Sequence, residues 1–293
     1  MQDTGSTVPR RQLGRYLMDW RTRAGLSQPQ AAALLGIGST TLYRLEHGQN
    51  GKVNISHVQA ACDLYGVPEH LVAAFTGLAR QTSEKSWWHE FGDLIPENFD
   101  VYMGLEAAAQ RFISYHAELV PGLLQTADYT RALVQEALPD ETPAEHERRV
   151  QMRQYRQMIV TRKRHPVEVD VVLHESVLRR IVGSTKATAA QLKRLADSST
   201  QPNVSLRVLP NEAGVPGGHS VGQFTILDFG TSRVGGLIEP PVVYVPGIVG
   251  GMYLEKPKDV DRYHKAYKAF KDRSLDAVES RGLLRQVAKE FLQ

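Results

Sequence analysis

Between Gly25 and Gly48 the chain reads Gly25-Leu26-Ser27-Gln28-Pro29-Gln30-Ala31-Ala32-Ala33-Leu34-Leu35-Gly36-Ile37-Gly38-Ser39-Thr40-Thr41-Leu42-Tyr43-Arg44-Leu45-Glu46-His47-Gly48. Few folds accommodate that order of caps, apolar spacings and glycines. Ser27 can cap a helix, Gln30 three residues on completes a capping box, and Pro29 falls in the first turn, where its missing N–H costs nothing. Ala31, Ala32, Leu34 and Leu35 are expected to form the buried face, and Gly36 to end the helix with positive φ. Ile37 plugs the core between two helices. Gly38 or Ser39 caps the second, in which Leu42 and Leu45, three apart, point inward, and Gly48 closes it. The spacing predicts two short helices joined by a tight turn, the unit that sets one helix in the major groove of DNA. Ser39, Thr40, Thr41, Tyr43 and Arg44 are then left facing outward. The competing reading, a helical hairpin with an ordinary polar face, gives no packing reason for a Ser-Gln cap, a Gly-Ile turn and a Leu-x-x-Leu-Glu ending to occur together.

The outward residues suit base and phosphate recognition. Arg44 can contact guanine through two hydrogen bonds, and the Ser39 and Thr40 hydroxyls can meet either kind of partner. Tyr43 and Thr41 are read as phosphate contacts, which position without specifying. A first helix is predicted from about Pro9 to Arg23, with Leu13, Leu17 and Trp20 on one face. On it Arg11, Arg15 and Arg21 are placed to reach phosphates. Helices over Ser56 to Tyr65 and Glu69 to Leu78 follow the loop Gln49-Asn50-Gly51-Lys52. The charge supports this partner mildly. Residues 1–80 hold eight basic and five acidic side chains and the rest holds 27 of each, so the whole formal +3 lies in the N-terminal part.

At 293 residues the chain is long enough for two domains. Its one cysteine, Cys62, excludes an internal disulfide framework and a cysteine-built metal site, and reads as a buried thiol on the fourth helix. The N-terminus has no apolar signal core and no run is apolar enough to span a bilayer, so a cytoplasmic, nucleoid-associated protein with no membrane partner is expected. The expected organisation is a disordered tail over 1–8, a DNA-binding domain over 9–80, a connector over 81–100 holding Trp87, Trp88 and Phe91, and a C-terminal domain over 101–293.

In that second part, Met103 to His116 reads as a helix or helix-strand element, and Val120 to Thr126 as a turn into a helix ending near Leu138. A helix over Pro143 to Lys163 carries acids early and Arg148, Arg149, Arg153, Arg156, Arg162 and Lys163 later, an order that suits the helix dipole and a solvated face. Strands are predicted over Val167 to Leu173, Val204 to Leu209, Gly222 to Phe229, Val234 to Ile238 and Val242 to Val245, with helices near Ser176, over Ala187 to Ser199, over Pro257 to Arg273 and from Ser274 to Phe291. The glycine-rich loop Pro210 to Ser220 lacks the lysine of a phosphate-binding loop and reads as a crossover. His174, Glu175 and His219 have neither zinc-type spacing nor a third ligand, and Ser220 has no nucleophile context, so no catalytic residue, metal site or cofactor is expected. The fold class is α+β: an N-terminal all-α five-helix domain, then a larger α+β domain with an antiparallel sheet and flanking helices.

The N-terminal stretch resembles the XRE family of helix-turn-helix regulators, the lambda-repressor-like class. The residues that carry it are Arg21, Ala24-Gly25-Leu26-Ser27-Gln28, Ala32, Leu35-Gly36-Ile37, Ser39, Leu42, Leu45-Glu46 and Gly48. The resemblance implies that Gln28 grips a phosphate, that Ser39, Thr40 and Arg44 read base edges, and that Asn50 and Lys52 lie along the DNA backbone. The second domain is similar to the C-terminal domain of antitoxin-like, WhiJ-like regulators of streptomycetes, through Gly104-Leu105-Glu106, Val120 to Thr126, Arg149-Val150, Arg153, Arg156-Gln157, Glu175, Gln191-Leu192, Pro202-Asn203-Val204 and Phe224 to Leu227. Val245-Pro246 stands where such relatives would carry a glutamate. These resemblances imply a sequence-specific transcriptional regulator, a homodimer on a pseudo-palindromic operator in double-stranded DNA, with a small partner protein encoded nearby and no reaction of its own. The alternative is a small-molecule sensor with Trp87, Trp88, Tyr244 and Tyr253 lining an apolar pocket.

Overall fold

A computed structural model describes residues 7–49, 53–82, 90–91, 93–95, 99–218, 220–231, 237–248 and 250–293. The chain divides into two compact units, Met1–Gly92 with Asp100–Ala108, and Asp93–Phe99 with Ala109–Gln293.

The first unit is helical. It contains α1 (Thr7–Arg23), α2 (Gln28–Leu34), α3 (Ser39–Glu46), α4 (Ile55–Tyr65) and α5 (Glu69–Gln81), and α6 (Phe99–Ala108) adds residues 100–108 to it. Its core is made of Leu13 and Leu17 from α1, Ala31 and Ala32 from α2, Leu42 and Leu45 from α3, Val58, Ala61 and Cys62 from α4, and Phe75 from α5. Tyr16 stacks on Phe75 at 5.5 Å between ring centres, tying α1 to α5. Leu34 departs from expectation: it is 63% exposed. The buried stripe of α2 is centred between Ala31 and Ala32, and at about 100° per residue Leu34 falls outside it. Cys62 is wholly buried, and burial pushes its thiol up to about 11, so it is an unreactive core residue at neutral pH.

Gly14 is where α1 meets the end of α3 backbone to backbone. A Cβ there would lie 2.4 Å from the Glu46 carbonyl oxygen and 2.6 Å from that of Leu45. Gly14→Ala must push the two helices apart, and a loss of about 1–3 kcal/mol is expected, measured by urea unfolding. An unchanged midpoint would mean that α1 does not lie against α3.

The second unit is built on one six-stranded sheet in the order β3-β2-β1-β4-β5-β6. Its strands are β1 (Arg111–His116), β2 (Glu168–His174), β3 (Val204–Leu209), β4 (Phe224–Asp228), β5 (Val242–Val245) and β6 (Met252–Leu254). The α+β class holds, but the sheet is mixed rather than antiparallel: β1, β2 and β3 run parallel, while β4, β5 and β6 alternate. Connections explain this. The helices α7 (Ala127–Ala137) and α8 (Pro143–Thr161) join β1 to β2, and α9 (Glu175–Arg179) and α10 (Thr185–Ser198) join β2 to β3. Such crossovers return the chain in the same direction, whereas among the described residues no helix lies between β4 and β6. The mixed element before residue 117 resolves into α6 and β1, and β6 is an element the sequence does not announce. Of the strand predicted over 234–238, residues 234–236 lie outside the described residues, and Leu237 forms a single bridge to Thr231.

After β6 come α11 (Pro257–Asp272) and α12 (Ala277–Glu290). Val260, Tyr267 and Phe270 of α11 pack on the sheet face made by Ile113, Tyr115, Val172, Phe224, Ile226 and Val243. The outer edge of β3 is closed by the α11–α12 corner. The Leu275 N–H donates to the Val208 carbonyl, and the Val208 N–H to the Ser280 hydroxyl, both at 2.9 Å.

One carboxylate is buried on the α11 side. Asp170 of β2 accepts from Lys271 of α11 at 2.7 Å and from Arg111 of β1 at 3.1 Å. Burial is the largest single influence and opposes the ionised form, but Lys271 together with the Tyr267 and Ser205 hydroxyls outweighs it, and the carboxyl sits below its ordinary value of 3.8. A carboxyl lowered by folding stabilises the fold above its unfolded value, and the gain is lost as pH falls through the folded one. Asp170→Asn is therefore expected to flatten the fall in stability below about pH 4, followed by thermal melts across pH. An unchanged acid limb would contradict this role.

Candidate nucleic-acid interface

The helix pair forms where the sequence places it. Gln30 Oε1 accepts from the Ser27 backbone N–H at 2.9 Å and from the Ser27 hydroxyl at 2.7 Å, fixing the start of α2. Gly36 takes φ of +66°, and Gly38 caps α3 with extended backbone. On α3, Leu42 and Leu45 are buried, which orients the helix. Ser39, Thr40, Thr41, Tyr43 and Arg44 are all exposed. Among the described residues, the side chains of Ser39, Thr40, Thr41 and Arg44 make no hydrogen bond or ion pair, so their donors and acceptors are open to a ligand. Tyr43 stacks on His47 at 4.0 Å, and His47 Nδ1 donates to the Tyr43 carbonyl at 2.8 Å. Gln28 is half-buried at the first position of α2. Asn50 and Lys52 lie outside the described residues, as do Trp87 and Trp88.

Arg21 is corrected. It does not reach toward a phosphate but turns inward to Glu46, whose side chain is 1% exposed. Arg21 Nε donates to Glu46 Oε1 at 2.6 Å and Nη2 to Oε2 at 3.0 Å. Nη1 donates to the Leu26 carbonyl at 2.8 Å. One guanidinium thus ties α1, the turn before α2 and the last residue of α3. The hydrogen bond to Glu46 raises the Arg21 pKa further, and burial pushes the neighbouring Tyr65 hydroxyl up to about 12, with Glu46 adding to it. The pair sets the angle at which α3 leaves the core. The sequence signal was Glu46 itself: a charge four residues after Leu42, on the inward stripe, demands a buried partner.

The second unit uses its polar residues internally. In the segment Val120 to Thr126, Gln125 Nε2 donates to the Val120 carbonyl at 2.7 Å, and Gln191 Nε2 donates to the Leu124 carbonyl at 2.8 Å. Gln191 Oε1 accepts from the Thr126 N–H at 2.6 Å, and Gln157 donates to the carbonyls of Gly122 and Gln125 at 2.9 and 2.8 Å. Arg153 donates to Gln125 Oε1 at 2.6 Å. These are the positions through which the C-terminal resemblance is recognised, and here they satisfy the backbone of a buried turn. The solvated-face reading of α8 holds only in part: Arg149 and Arg156 turn inward. Arg148 pairs with Asp93, Arg149 with Glu141 and the Leu94 carbonyl, and Arg156 is buried over the Phe99 ring at 5.2 Å. Arg162 and Lys163, at the C-terminal end of the predicted helix, are exposed, as that reading expects.

His174 and Glu175 are engaged structurally. The Ser176 N–H donates to His174 Nδ1 at 3.2 Å, and Glu175 accepts from Arg179 at 3.0 Å and from the Asn211 N–H at 3.1 Å. His219 lies outside the described residues, and among those described no group of three His, Cys, Asp or Glu could hold a metal ion. Tyr244 and Tyr253 pack on each other across β5 and β6 at 5.2 Å between ring centres, while Trp87 and Trp88, the other residues of the expected pocket, lie outside the described residues. Among the described residues no helix is long and apolar enough to cross a membrane.

Two family models match the chain. The Helix-turn-helix domain matches residues 12–75, which span α1 to most of α5 and contain the face just described. This match marks the chain as a DNA-binding regulator. The Domain of unknown function (DUF5753) matches residues 99–286, from α6 into α12. No curated protein matches the chain. With more than half of its length covered by that model, the chain belongs to the family defined by the Domain of unknown function (DUF5753), with a helix-turn-helix domain preceding it.

Proposed function

We propose that this chain is a sequence-specific transcriptional regulator of the XRE type that inserts α3 into the major groove. The observation that supports this best is the outward face of α3. It has three hydroxyls and a guanidinium with no intramolecular partner among the described residues, on a helix whose other side is locked by Leu42, Leu45 and the Arg21–Glu46 pair. Arg44, Ser39 and Thr40 read base edges, while Gln28, Thr41 and Tyr43 hold phosphates. Asn50 and Lys52 extend the phosphate contacts along the backbone. One helix of eight residues spans few base pairs, so the regulator acts as a homodimer on a pseudo-palindrome with half-sites about one helical turn apart. The C-terminal domain is the antitoxin-like, WhiJ-like part, and it receives a small partner protein encoded nearby.

Selection of bound duplexes from a random library tests the first part. A two-fold symmetric consensus is expected, and enrichment of no sequence would overturn it. Co-expression with the product of the adjacent reading frame tests the partner. Co-purification in fixed stoichiometry is expected, and separate elution would remove the partner from the account.

A further inference from the structure

The DNA-binding reading leaves the glycine-rich connection between β3 and β4 without a task. The parallel strands β1, β2 and β3 end on the same side of the sheet, and their order runs outward from β1 to β3. β4 returns to the opposite flank of β1, so the strand order reverses there, and residues 210–223 bridge the reversal. The crevice outside the carboxyl ends of parallel strands at such a reversal is where open sheets hold ligands. Here it contains a cleft of about 640 Å³ between the connection and α11, a size suited to a small molecule.

The lining has two parts. Pro216, Val221, the Tyr263 ring, Ala266 and Ala269 are apolar, and among the described residues no acidic side chain lines it. Arg262 and Lys265 are one turn apart on α11 and are the cleft's charged groups among the described residues. Arg262 is 81% exposed and its nearest acid, Asp259, is 3.6 Å away, while Lys265 has no ion-pair partner among the described residues. Ser220 adds a hydroxyl without a side-chain hydrogen bond among the described residues. Gly217 takes φ of +77° and has no atom within 4 Å of where a Cβ would stand, so the absence of a side chain there leaves the cleft open.

We propose that this cleft is a binding site for a small organic anion with a flat apolar body, its acidic head held by Arg262, Lys265 and Ser220 and its body laid against Tyr263 and Ala269. The site belongs wholly to the second unit and does not depend on what α3 binds.

The test uses the full chain without DNA and the aromatic sulfonate 1-anilinonaphthalene-8-sulfonate, followed by its fluorescence, with the uncharged N-phenyl-1-naphthylamine as its partner probe. Saturable binding of one sulfonate per chain is expected. The exposed double variant Arg262→Glu, Lys265→Glu should weaken it about tenfold or more, while the uncharged probe changes little. Ala269→Trp should displace both probes, and circular dichroism identical to the parent protein shows that it folds. Sulfonate affinity unchanged by the double charge reversal would overturn the proposal, whether or not Ala269→Trp folds. Equal loss of both probes in the charge variant would overturn the anionic head.

Discussion

Arg21→Ala is expected to destabilise the helical unit by about 3–5 kcal/mol, because it leaves the buried Glu46 carboxyl without its guanidinium partner. Glu46 is 1% exposed at its side chain, so water cannot replace the lost donors without opening the unit. Against a usual domain stability of about 5–15 kcal/mol, that loss reaches a large fraction of the total. Arg23→Ala is the control. Its ion pair with Asp19 has both side chains about two-thirds exposed, and pairs of that kind contribute about 0–1 kcal/mol. Urea unfolding followed by far-ultraviolet circular dichroism separates the two variants. Equal midpoints would show that Arg21 is a surface arginine after all. The same variant should lose DNA binding although Arg21 points away from the proposed contact face, since α3 leaves the core at the angle this pair fixes.

Arg44→Ala should behave in the opposite way. An exposed side chain with no partner among the described residues costs under about 0.5 kcal/mol of stability on removal. Affinity for the operator should fall by about 1–3 kcal/mol per half-site, and the preference at one base pair per half-site should relax. A symmetric dimer counts that loss twice. Thr41→Ala or Tyr43→Phe should instead weaken binding to all sequences alike, because phosphate contacts carry no sequence information. Competition binding across single-base operator variants measures both. An Arg44→Ala profile parallel to the parent's would remove Arg44 from base readout.

The outward side of α3 was legible because Leu42 and Leu45 alone decide which way a helix of that length turns. Arg21 was not. An arginine in the last turn of a surface helix looks like a phosphate contact until its partner, 25 positions later, is placed beside it. The same blindness affected α8, whose arginines read as solvated from their spacing. Asp93 and Phe99, which hold Arg148 and Arg156, come from some fifty residues earlier, and Glu141, which holds Arg149, from just before the helix. Strands β2, β3 and β5 were readable from alternating Val and Leu, but strand direction depends on what lies between strands. With β1 hidden inside a mixed apolar run, the repeated strand–helix–strand pattern that imposes parallel pairing went unseen. The cleft beside α11 was out of reach for another reason: Arg262 and Lys265 look like ordinary solvated positions, and only the fold brings the glycine-rich connection over them.

On this reading the exposed face of α3 selects a sequence in duplex DNA. Its most direct measurement is footprinting of the purified full chain on its genomic fragments in the presence of excess non-specific duplex, beside Arg44→Ala at the same salt concentration. A protected, two-fold symmetric site is expected in competition with the non-specific duplex, and weaker protection with altered base preference in the variant. Protection that vanishes into the non-specific duplex, or is identical for both proteins, would contradict it.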